Sequence, residues 1–103
     1  MRRVASWNIQ GLGGVPHRHR RQMIWNHLHA SVSRGPIDIL FLQEHKLDAR
    51  NCAKFGKLLS SRTFWLPDLG TRGGTCISVS DAFLPLVVEH GVIMPFGMQY
   101  VFI

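Results

Sequence analysis

The chain opens with apolar and polar positions interleaved. From Arg3 to Ile9, Val4, Ala5, Trp7 and Ile9 supply apolar bulk around Ser6 and Asn8, which predicts a first strand. Gly11, Gly13 and Gly14 interrupt it, and Pro16 completes the turn. From His17 to Val32 the period lengthens: Ile24, Leu28 and Val32 recur every four residues with Met23 at the edge of the stripe, and Gly35-Pro36 supplies a stop, so a helix is expected. Ile37 to Gln43 is apolar at both parities, the pattern of a strand covered on both faces. Asp48 to Leu59 predicts a second helix with Asp48 as its N-cap and Phe55, Leu58 and Leu59 turned inward. Thr63–Leu66 and Thr75–Ser80 then read as strands around a turn from Pro67 to Gly74. Leu84 to Met94 reads as an extended piece, and Pro95-Phe96-Gly97 turns the chain into a last strand, Gln99–Ile103.

A strand, a helix and a strand in succession favour a parallel pair joined by a right-handed crossover. Both strands then end at one sheet edge, which brings Asn8 and Glu44 together where ligands of open α/β sheets gather. The second half reads as an antiparallel meander, so the expected class is α/β. A closing apolar run, Tyr100 to Ile103, would leave a sheet edge that native proteins cover or blunt, and this predicts that residues 1–103 are part of a larger domain.

Composition narrows the function classes. With 103 residues, 46% hydrophobic and 17% charged, the chain suits one small packed domain better than disorder. No stretch approaches the roughly 18 apolar residues of a membrane span, and no apolar segment follows Arg2-Arg3, so neither a membrane partner nor a secretory signal is expected. Twelve Lys and Arg against six Asp and Glu give a net charge of +6, which favours a polyanionic partner, nucleic acid first. Arg18, Arg20 and Arg21 crowd the first turns of the expected helix, where they oppose its dipole and would sit better facing an anion. Cys52 and Cys76 imply neither a disulfide framework nor a zinc knuckle. His17-Arg18-His19 and His27-Leu28-His29 do not make metal pairs, because residues two apart on a helix point in different directions.

The chemistry concentrates in two segments. Trp7-Asn8-Ile9-Gln10-Gly11 ends the first strand, and Leu42-Gln43-Glu44 ends the apolar strand in an amide and a carboxylate. A carboxylate at that place needs a reason: a divalent cation would be one partner, and the alternatives are a solvated strand-end carboxylate or a salt bridge to Lys46. Together with Asp38-Ile39-Leu40-Phe41-Leu42-Gln43-Glu44-His45-Lys46-Leu47 and Arg72-Gly73-Gly74-Thr75-Cys76-Ile77, these segments resemble the endonuclease/exonuclease/phosphatase (DNase I-like) superfamily. The nearest likeness is to the endonucleases of LINE-type retrotransposons. The resemblance implies a four-layer α/β sandwich that hydrolyses DNA phosphodiesters, of which this chain is the N-terminal part. It implies that Glu44 is the catalytic carboxylate that binds Mg²⁺ or Mn²⁺, and that Asn8 orients the same site and its metal or phosphate ligands. Gln10 stands where abasic-site nucleases tend to carry aspartate, which points away from abasic specificity. Gln10, Lys46 and Arg72 are the candidate nucleic-acid contacts.

Hydrolysis also needs a base for water and donors for the phosphate, and one carboxylate cannot do both. The resemblance puts a tyrosine, an aspartate–asparagine pair and an aspartate–histidine pair further along such a domain, and Tyr100 falls too early to be that tyrosine. The expectation is therefore a retroelement-derived endonuclease fragment, inactive alone. The alternatives are a non-catalytic basic module that binds nucleic acid, or a phosphatase-type member of the same superfamily.

Overall fold

A computed structural model describes residues 3–29, 37–58, 62–68, 73–93 and 98–103. Eight regular elements follow in chain order: β1 (Val4–Asn8), α1 (Arg18–His29), β2 (Ile39–Gln43), α2 (Ala49–Leu58), β3 (Arg62–Leu66), β4 (Thr75–Val79), β5 (Glu89–Ile93) and β6 (Met98–Phe102). Short 3₁₀ turns occupy Val15–His17 and Leu84–Leu86. The described residues are mixed α/β, with two helices and two sheets, as the alternation of periods predicts.

The main sheet has the order β1-β2-β4-β3. β1 and β2 are parallel, with Val4 opposite Ile39 and Asn8 opposite Gln43, whereas β4 runs antiparallel to both β2 and β3. The expected meander is thus two separate hairpins. β3–β4 extends the main sheet through β4, and β5–β6 forms a second sheet of its own.

Alternation along β2 and β4 divides the core in two. Leu40, Leu42 and Cys76 face α1 and α2, where they pack with Ile9, Leu12, Ile24, Leu47 and Cys52. Ile39, Ile77 and Val79 face the other way and pack with Phe83, with Phe64 and with Val101 of β6. Helices, main sheet and small sheet therefore stack in that order, and β2 is covered on both faces as its unbroken apolar pattern requires. Gln99 ties the two sheets together: its amide donates to the Phe64 carbonyl at 3.0 Å, and it also bonds the Thr75 hydroxyl.

Element boundaries depart from the pattern in instructive places. Asp48 does cap α2, since its Oδ1 accepts from the Asn51 N–H at 2.9 Å. The buried face of that helix includes Cys52 beside the partly buried Phe55. Leu58 and Leu59, like Leu28 and Val32 of the expected first stripe, lie outside the described side chains. The extended piece expected from Leu84 begins as a 3₁₀ turn with Pro85 near its start, and the strand starts only at Glu89. Among the described residues no helix is long and apolar enough to cross a membrane.

Candidate metal and phosphate edge

The parallel pairing of β1 and β2 carries both motifs to one edge of the sheet. Its ladder continues past the strands: the Gly11 N–H donates to the Glu44 carbonyl at 2.8 Å, and the Leu12 N–H to the His45 carbonyl at 3.0 Å. Asn8 is exposed on the same face as Gln43, whose side chain bonds the Ser6 hydroxyl at 3.1 Å. A cleft of about 190 Å³ opens beside this edge, between the two sheets, lined by Phe41, Gln43, Thr75, Ile77, Met98 and Gln99.

Three of the residues predicted for the site hold an unusual backbone. Gln10, Glu44 and Lys46 have φ of 53°, 56° and 60°, the left-handed region that costs a non-glycine residue on the order of 1 kcal/mol each. Three such residues in two adjoining loops persist only because their surroundings over-determine them. For Gln10 the surroundings are α1. One guanidinium nitrogen of Arg20 donates to the carbonyls of Ile9, Gln10 and Gly11 at 2.8, 2.6 and 3.1 Å. Arg21 donates to Leu12 and Gly14 at 2.9 and 2.6 Å, and lies over the Phe55 ring. This corrects the expectation that the arginines of the first turns face an anion. Two of the three fold back onto carbonyls of the 9–14 loop that follows β1.

For Glu44 and Lys46 the surroundings are the Gly73-Gly74 corner and His45. The Lys46 N–H donates to the Gly73 carbonyl at 2.6 Å. Gly73 and Gly74 have φ of 73° and 76°. A Cβ on Gly73 would come within 2.9 Å of the Glu44 Cα, and one on Gly74 would overlap the His45 ring. The Gly-Gly pair is thus needed twice over, for conformation and for space.

His45 is fully enclosed, at 0% exposure. The Leu47 N–H donates to its Nδ1 at 2.9 Å, so the proton sits on Nε2, which donates to the Leu66 carbonyl at 2.9 Å and the Thr75 carbonyl at 3.2 Å. The edge of the ring meets Trp65 at 5.2 Å. Burial lowers its pKa below the ordinary value, against the opposing pull of the two carbonyls and of the Asp68 charge, so the neutral ring is favoured.

Glu44 itself is half-buried, and among the described residues its carboxylate has neither a hydrogen bond nor an ion pair. The alternative of a salt bridge to Lys46 is not realised. A free, partly shielded carboxylate beside an amide is a donor set that suits a hard cation which keeps most of its waters, as Mg²⁺ does. Among the described residues no group of three or more His, Cys, Asp or Glu side chains converges as an all-protein cage would require. Arg72 lies outside the described residues. Lys46 is exposed one residue beyond His45, and Gln10 is exposed at the same edge.

Sequence reasoning passes over His45, which the fold encloses beside the predicted site residues. The signal for His45 is the glycine pair at 73 and 74, because two glycines before a buried strand mark a place where something bulky approaches the backbone. Compared with known proteins, the chain matches no family model and no curated sequence.

Proposed function

We propose that this chain forms the metal- and phosphate-binding edge of a Mg²⁺-dependent, DNase I-like endonuclease of the retrotransposon type. The reading rests above all on one observation. The parallel β1–β2 pair sets Asn8 opposite Gln43, with the Glu44 carboxylate, unpartnered among the described residues, one residue further along the same edge. The stacking of helices, main sheet and second sheet supports a sandwich, and the proposed whole is a four-layer one. In this reading Glu44 holds Mg²⁺ or Mn²⁺, which polarises a bound phosphate and offsets the charge that develops on its oxygens. Asn8 orients the phosphate or a metal-bound water, and Gln10 and Lys46 contact the DNA backbone. One carboxylate cannot both hold the metal and activate water, so in this reading these residues bind metal and phosphate, without turnover of their own.

A second reading is favoured by the charge. Arg18, Lys46, Arg50, Lys54 and Arg62 are all exposed on a chain of net charge +6, as a non-catalytic nucleic-acid module would have them. Fluorescence anisotropy with a labelled DNA duplex separates the two. At constant ionic strength the endonuclease reading expects Mg²⁺ to tighten binding, and Glu44→Gln to remove that gain. Binding that falls steeply with salt and ignores both Mg²⁺ and Glu44→Gln would instead establish the basic module.

A further inference from the structure

Glu44 cannot hold its backbone conformation unaided, since φ of 56° is unfavourable for any residue with a Cβ, and Lys46 repeats the problem at 60°. Between them stands His45, bonded at both ring nitrogens. It links its own loop, through Leu47, to the end of β3 at Leu66 and to the start of β4 at Thr75. Its ring fills the space that the absent side chain of Gly74 leaves, and no solvent reaches it. We propose that His45 is the positioning residue of this edge: its doubly bonded ring fixes the backbone of residues 44–47 so that the Glu44 carboxylate is presented for a divalent cation.

The proposal rests on the reading of Glu44 as a metal ligand and adds to it the residue that organises that ligand. Imidazole suits the task because it offers an acceptor and a donor on a rigid ring, pointing to opposite sides. Asparagine can imitate the Nδ1 acceptor and glutamine the Nε2 donor, but neither does both. Groups that orient a metal ligand without touching the metal commonly change affinity by about 10- to 100-fold when removed.

The experiment is a Mn²⁺ titration of the 103-residue chain, following free Mn²⁺ by electron paramagnetic resonance, with a thermal melt of every variant. His45→Asn and His45→Gln are expected to retain a cooperative transition and to bind Mn²⁺ at least about ten-fold more weakly. Val79→Ala, a core change at the far end of β4, opposite Ile39, is expected to lower the melting temperature and keep wild-type affinity. Wild-type affinity in both His45 variants, or an equal loss in Val79→Ala, would overturn the proposal. Glu44→Gln separates the two levels. If it leaves Mn²⁺ affinity unchanged, the reading of the site fails and the role of His45 with it. If it removes binding while both His45 variants keep it, only the role of His45 fails. Should the His45 variants lose their cooperative transition, hydrogen exchange of the wild-type chain decides. Saturating Mg²⁺ must slow exchange of the Leu47 amide, and an unchanged rate refutes the coupling.

Discussion

Glu44 follows a strand that is apolar up to its last residue, Gln43, and its backbone turns left-handed at the point where the strand stops. The neighbours explain how that is tolerated. Gly73 leaves room for the Glu44 backbone, Gly74 leaves room for the His45 ring, and the ring bonds three backbone groups. A methyl group at Gly74 meets the ring and also forces an alanine to φ of 76°, so Gly74→Ala should destabilise the fold by roughly 3 kcal/mol. Chemical denaturation measures this directly, and a loss below about 0.5 kcal/mol, the range of neutral surface changes, would show that the corner is not tight. The histidine also gives the fold a pH dependence. Its pKa is lowered from 6.5 by burial, so the unfolded chain takes up the proton more readily than the folded one. The stability that the neutral ring supports is fully present above about pH 6.5 and is lost as the pH falls through that value toward the lowered one. The melting temperature should drop as the pH falls below about 6.5, and the drop should be shallower in His45→Asn. Parallel pH profiles for the two chains would refute the assignment. At this scale the sequence discloses the candidate site residues, because a carboxylate after an apolar run is visible as a pattern. It does not disclose the enclosed histidine, whose bonds depend on Leu66 and Thr75 arriving from β3 and β4.

Among the elements, β2 and α2 were the most legible. β2 is apolar at every position but the last and lies between two layers, so periodicity alone identifies its surroundings. α2 begins at a residue whose side chain can cap it, and Asp48→Ala should lower stability by about 1 kcal/mol, to be read from the shift of a urea midpoint. No change in midpoint would mean that water replaces the carboxylate without loss. The arginines of α1 misled for a physical reason. Charge near a helix start suggests an anion, whereas Arg20 and Arg21 are taken up by carbonyls of the 9–14 loop, and only the fold brings that loop beside the helix. The meander misled similarly. Strand periodicity is the same in one sheet or two, and the division between β4 and β5 follows from Phe83 and the Leu84–Leu86 turn packing beneath the main sheet.

In the whole molecule, one face of the main sheet is closed by helices and the other is partly closed by β5–β6. The small sheet leaves Val88, Ile93, Met98, Phe102 and Ile103 exposed, with Val88 at 82%. The candidate site lies where β1 and β2 end together and where the Gly73-Gly74 corner meets them, and of these exposed residues Met98 lines the cleft beside it. Three features agree there: a parallel register that sets Asn8 against Gln43, left-handed backbone at Gln10, Glu44 and Lys46, and a carboxylate without a partner among the described residues. The central claim is that this carboxylate is reserved for a divalent cation. The most direct test is the Mn²⁺ titration of the wild-type chain beside Glu44→Gln. The account predicts one bound Mn²⁺ per wild-type chain and none in Glu44→Gln, with unchanged thermal transitions. Equal Mn²⁺ binding by the two chains, or none by the wild type, would contradict it.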